Sequence, residues 1–185
     1  MATAPKTTEP TFTDVKTLRA NARKNIDDGA VTKSYPADRE AIIAKLQESL
    51  ATEWVCVLRY TRHYHTATGL VSEPIKAHFL AHAKEEQAHA MMLAERIVQL
   101  GGEPDLNPDN LTKLSHAEYR EGKTLKDMVK EDLVAERIAI DSYRELIHYI
   151  GDRDTTTRKI LMHILEQEEE HADEFSDLLD GWEGE

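Results

Sequence analysis

Glu86-Gln87-Ala88-His89 and, towards the other end of the chain, Glu168-Glu169-Glu170-His171 are the two stretches on which the reading of this sequence turns. In each, a Glu stands three residues before a His. On a helix that spacing puts both side chains on one face, one turn apart. The face is the apolar one. Around the first pair the stripe runs Phe79, Ala83, Glu86, Ala90, Leu93, Ile97, Leu100; around the second it runs Leu161, Ile164, Glu168, His171, Phe175, Leu178. A carboxylate inside a protein is costly unless it is paired or holds a metal. Two helices that each carry Glu-x-x-His inward supply half of a carboxylate-bridged two-metal site in a four-helix bundle.

Two lone carboxylates supply the other half. Glu53 falls on the stripe Leu46, Leu50, Glu53, Val57, Tyr60, and Glu136 on Val129, Leu133, Glu136, Ile140, Tyr143, Ile147. Glu53 to Glu86 is 33 residues, Glu136 to Glu168 is 32, and each lone Glu is followed seven residues later by a Tyr. The competing reading is an ion-pair network, but these stripes carry no Lys or Arg to complete one. Four carboxylates and two imidazoles make a set of oxygen and nitrogen donors that suits iron or manganese and accepts zinc as an inert stand-in.

The punctuation of the chain predicts how the four helices connect. Asp38, after Tyr35-Pro36-Ala37, caps a first long helix that runs to about Thr68 and stops at Gly69. A second begins near Ser72 and Pro74 and ends at Leu100, before Gly101-Gly102. The connection from Glu103 to Lys123 is long and holds Pro104, Pro108 and Gly122. Thr124-x-x-Asp127 reads as a capping box for a third helix ending at Gly151, and Asp154 caps a fourth ending near Gly181. Short, long, short connections mean two antiparallel hairpins joined by a crossover. The expected fold is all-α: a four-helix bundle over residues 36–182, with 1–35 as an N-terminal extension containing a short helix marked by Val15, Leu18, Ala22 and Ile26. Residues 1–12, rich in Thr, Pro and Ala, are expected to be disordered.

Composition narrows the function classes. A chain of 185 residues suffices for one domain with a sizeable core. Its net charge of −12 argues against broad nucleic-acid binding and fits a surface that gathers cations. That charge divides into +2 over residues 1–33 and −14 beyond, so the leader is either an arm that touches DNA or a neighbouring subunit, or a solvated helix. A single cysteine, Cys56, and the lack of an apolar signal core predict a reducing, cytoplasmic setting. The longest apolar run, Trp54 to Leu58, is far too short to span a bilayer.

Glu53, Glu86-x-x-His89, Glu136, Glu168-x-x-His171 and the segment Leu100-Gly-Gly-Glu-Pro together resemble the ferritin superfamily over roughly residues 36–180, most closely its bacterioferritin-type members. The resemblance implies an intra-subunit di-iron site: Glu86 and Glu168 bridge two irons, Glu53 and His89 complete one, and Glu136 and His171 complete the other. Tyr60 matches a tyrosine the family keeps beside its metals. The haem-ligating Met of bacterioferritins is replaced by Gln87, so no haem is expected, although Met91 lies one turn further along that face. Only 14 residues follow His171, which leaves no room for the fifth helix of 24-subunit shells. The resemblance therefore points to a Dps-like mini-ferritin assembled as a 12-mer. Ordinary Dps proteins place iron between subunits with other ligands, a pattern absent here.

Further positions carry lesser expectations. Asp132, one turn before Glu136, would accept the free N–H of a ligand His, or else be a polar residue at a helix start. Tyr60 and Tyr143 would hydrogen-bond the metal ligands, or be core tyrosines with satisfied hydroxyls. Cys56 reads as a small packed hydrophobe. His82 and His163 would line an iron path or be ordinary core or surface histidines. Glu85, Glu166, Glu169 and Glu170 read as a solvated face, some of which would line the cavity of a closed shell and nucleate mineral.

The expected activity is a ferroxidase: two Fe(II) give two electrons together to dioxygen or hydrogen peroxide, and Fe(III) mineral collects in a protein shell. The rivals on the same fold are a non-storing di-iron or di-manganese peroxidase or catalase, and a shell that chiefly protects DNA.

Overall fold

The structure, a computed structural model, describes residues 12–69 and 71–183. The stretch expected to be disordered lies almost wholly outside them. Six helices and no strand occur among the described residues: α1 (Val15–Lys24), α2 (Arg39–Thr66), α3 (Ser72–Gln99), α4 (Pro108–Leu114), α5 (Leu125–Ile150) and α6 (Thr155–Glu183).

The long helices begin and end where the local chemistry directs. The Asp38 side chain accepts from the backbone N–H of Ala41 at the start of α2. Thr124 and Asp127 satisfy each other's backbone N–H groups in a full capping box at the start of α5. Asp154 takes the N–H of Thr157 at 2.9 Å at the start of α6. After α3 the chain turns through Gly101, whose φ of 83° lies in the left-handed region. The N–H groups of Gly101 and Gly102 there return to the carbonyls of Val98 and Ile97.

The links 67–71 and 151–154 are short, so α3 folds back along α2 and α6 along α5. The two hairpins then pack together, α2 against α5 and α3 against α6. The apolar stripes meet inside in two clusters. One gathers Leu46, Leu50, Leu93, Ile97, Leu146 and Leu161, among others. The other gathers Tyr60, Phe79, Val129, Leu133 and Phe175 with their neighbours. On each long helix a Glu sits between the residues that feed the first cluster and those that feed the second. The bundle is thus apolar at both ends and carries a polar layer across its middle.

Two features add to what the sequence showed. The long connection is not plain loop. It holds α4, capped by Asn107 with Pro108 in its first turn. Leu111 of α4 packs on Ala51 and Val55, so α2 is buried on a second side and its apolar stripe is wider than one face. Two cationic side chains that lie off the predicted stripes also turn inward: Arg59 is 1% and Arg96 5% exposed. Arg96 holds Asp154, the α6 cap, with Nη2 at 3.1 Å from each carboxylate oxygen, and Tyr35 reaches the same carboxylate at 2.5 Å. Arg59 donates to Asp132 at 2.8 Å. Neither arginine pairs with the six predicted donors. The short N-terminal helix α1 has no buried residue, and its Val15 and Leu18 are exposed.

Candidate metal centre

Glu53 on α2, Glu86 and His89 on α3, Glu136 on α5, and Glu168 and His171 on α6 are each 4% exposed or less. They converge. Glu53, Glu86, His89 and Glu168 offer donor atoms that all lie within 4.8 Å of one another, and so do Glu86, Glu136, Glu168 and His171. Glu86 and Glu168 belong to both groups, as two bridging carboxylates between neighbouring cations would.

The imidazoles are aimed by their outer nitrogens. His89 turns Nδ1 inward, 3.0 Å from Glu168 Oε1, 3.3 Å from Glu86 Oε2 and 3.5 Å from Glu53 Oε2. Its Nε2–H donates to Gln167 Oε1 at 3.1 Å. His171 turns Nδ1 towards Glu86 Oε1 at 3.5 Å and towards Glu136 and Glu168 at 3.8 Å. Its Nε2–H donates to Glu85 Oε2 at 2.9 Å. Both outer partners are oxygen acceptors, so each holds a ring proton outside, and Nδ1 is the nitrogen that a metal would take in place of the second proton. The arrangement is reciprocal. On each of α3 and α6, the residue just before the bridging Glu holds the His of the other helix.

Asp132 therefore does not play the part expected of it. Its carboxylate is fully buried and is taken by Arg59 and by His63 Nδ1, at 2.8 and 2.9 Å. The cause is azimuth. Asp132 lies one turn along α5 from Glu136, on the side facing α2, whereas both candidate ligand histidines come from α3 and α6. Glu85, read as solvated, is the residue that orients His171. Tyr60 and Tyr143 do reach the centre, crosswise: Tyr60 donates to Glu136 Oε1, and Tyr143 to Glu53 Oε1. Cys56 is buried with a free thiol. His163 is exposed and stands apart, and Met91 is exposed on the outside of α3. His82 is buried, and its ring stacks on that of His171 with centroids 4.0 Å apart.

The electrostatics of the centre call for cations. Burial pushes the Glu53 and Glu168 carboxyls well above the usual carboxylate range, and the neighbouring Glu86 charge adds to this. Burial acts on Glu86 in the same direction, but hydrogen bonds from Glu53, His171 and His89 hold it well below that range. Burial disfavours the charged imidazoles too; the surrounding carboxylates prevail, raising His89 far above its ordinary value and His171 to about 11. Without metal the carboxylates are thus balanced by protons. Even so, both Glu168 oxygens are buried without a hydrogen bond. Such orphaned acceptors in a dry layer are what a divalent ion would satisfy. The donors present fit bound metal.

Three comparisons with known proteins agree with this architecture. The sequence model of the Ferritin-like domain matches residues 43–184. The chain is 33% identical over 147 residues to the DNA protection during starvation protein of Pyrococcus furiosus, covering 78% of this chain and 80% of that one. It is 27% identical over 133 residues to a bacterioferritin of Mycobacterium avium, covering 71% and 79%. Among solved structures it superposes on a dodecameric thioferritin, the bacterioferritin-related protein of Bacteroides fragilis, with a TM-score of 0.76 at 30% identity, covering 79% and 88% of the two chains.

Proposed function

The chain belongs to the ferritin-like family, and on that premise we propose that it is an iron-storing and iron-detoxifying ferroxidase. The observation that carries this reading is the pair of overlapping donor groups that share Glu86 and Glu168. Fe(II) is the substrate. One ion would take Glu53 and His89, the other Glu136 and His171, with Glu86 and Glu168 between them, so that two reducing equivalents stand together. With hydrogen peroxide the balance is two Fe(II), one peroxide and two protons giving two Fe(III) and two waters. No one-electron product is released.

The residues act by holding charge in place. Four carboxylates favour Fe(III) over Fe(II), because the higher charge gains more from them. Tyr60 and Tyr143 bind one oxygen of Glu136 and of Glu53, which leaves the other oxygen of each for iron. Gln167 and Glu85 keep the imidazoles turned inward. Residues 36–182 are the unit that carries the centre, with 1–35 an extension outside it. As in the dodecameric thioferritin it superposes on, subunits assemble into a twelve-membered shell in which Fe(III) collects as mineral.

Aerobic iron loading of the assembled protein tests the reading. Particles of about 250 kDa, twelve times the 21.0 kDa chain, should take up iron far beyond a pair of ions per subunit. Glu86→Ala should abolish rapid Fe(II) oxidation while leaving the helical circular dichroism unchanged; undiminished kinetics would refute the assignment. Uptake that stops at one pair per chain would instead mark a non-storing peroxidase. DNA protection is the lesser reading: a gel shift that disappears on removing residues 1–35 would support it.

A further inference from the structure

Beside the centre lies a second set of donors that the ferroxidase reading does not use. His78 and His82 stand one turn apart on α3, and Glu174 faces them from α6. A single carboxylate oxygen, Glu174 Oε2, is 2.9 Å from His78 Nδ1 and 3.1 Å from His82 Nε2. His78 and Glu174 are 39% and 48% exposed, whereas the His82 side chain is only 3% exposed. The Nδ1 atom of His82 is buried with no hydrogen-bond partner. It is the nitrogen that His82 does not turn towards Glu174, so the ring keeps a second donor atom unspent.

The donors form a series. His78, His82 and Glu174 present donor atoms within 4.8 Å of one another; so do His82, Glu85 and His171. The first group shares His82 with the second. The second shares His171 with the group Glu86, Glu136, Glu168 and His171 at the centre. The stacking of His82 on His171 closes the step between them. Each group thus hands one residue on to the next, from a half-exposed His and Glu to the fully buried carboxylates.

We propose that His78, His82 and Glu174 form a divalent-cation site at the bundle surface, which captures Fe(II) and passes it by way of His82, Glu85 and His171 to the centre. Two neutral imidazoles and one carboxylate suit Fe(II), Co(II) and Zn(II), and they leave coordination positions open for water, as a transit site requires. Capture stands by itself; delivery rests on the ferroxidase reading above.

The test uses the full-length, assembled, metal-free protein. Anaerobic Co(II) titration, with bound metal counted after dialysis, should give one ion more per chain in the parent than in the His78→Ala/Glu174→Ala variant, whose changes lie on the surface and spare the core. A variant with the centre dismantled, Glu86→Ala/Glu168→Ala, should keep that extra ion and lose it when His78→Ala/Glu174→Ala is added. Equal counts with and without His78 and Glu174 overturn the capture site. An ion lost with His78 and Glu174 from a parent whose centre binds no metal would sink the ferroxidase reading and leave this site standing. For delivery, His78→Ala/Glu174→Ala should raise the Fe(II) concentration needed for half-maximal oxidation severalfold at unchanged maximal rate; an unchanged half-saturation would overturn it.

Discussion

The reach of Tyr143 to Glu53, and of Tyr60 to Glu136, shows how finely single side chains set this centre. Tyr143→Phe removes the donor to a buried carboxylate and leaves its oxygen unsatisfied. We expect a loss of about 1–3 kcal/mol in the metal-free protein, measured by urea unfolding, and a smaller loss once Zn(II) occupies the centre. The two histidines set the pH response. Their values are raised in the folded state, so the stability they confer is fully present below the unfolded histidine value, about 6.5. It is lost as pH rises through the folded values, which for His171 is about 11. Melting temperatures of the metal-free protein should therefore fall between those limits. Metal must displace the same protons, so its affinity should rise with pH, and calorimetry in buffers of different ionisation enthalpy should register their release.

At the scale of the helix, the apolar stripes made the inward face of each long element readable, because a Glu flanked at helical spacing by Leu, Ile and Phe has few other places to be. The caps were equally plain, since Asp38, Thr124 and Asp154 precede apolar runs by the usual interval. What periodicity does not report is how a helix is rotated against its neighbours. It located Asp132 on the right face of α5 and gave no sign that α2 would meet it with Arg59 and His63. Arg59 itself reads as solvent-facing in any hydropathy pattern, yet it is wholly inside. With seven residues, α4 is too short to show a period, and only Asn107-Pro108 announced it. The buried pair carries a prediction. Arg59→Met leaves Asp132 with His63 alone and should cost about 3–5 kcal/mol, whereas Arg59→Met/Asp132→Leu should recover much of that loss; thermal melts of both variants decide. Gly122 adds another. At φ 64° and with Met128 N only 2.8 Å from where a Cβ would sit, Gly122→Ala should lower the melting temperature by displacing the start of α5.

For the molecule as a whole, no helix among the described residues is long and apolar enough to cross a membrane. Among the described residues, six acidic side chains are buried, Glu53, Glu86, Asp132, Glu136, Asp154 and Glu168; the others are not. Loading Zn(II) should raise the melting temperature in proportion to the logarithm of free metal, because the unfolded chain offers no preformed site; a midpoint indifferent to Zn(II) would argue against a metal-holding layer. The crosswise tyrosines have a consequence at this scale too. Each hairpin owns a carboxylate whose hydroxyl partner belongs to the other, so neither can finish its own half in isolation. The two are interlocked like a clasp, and Tyr60→Phe/Tyr143→Phe should loosen the seam between hairpins before it unwinds either one.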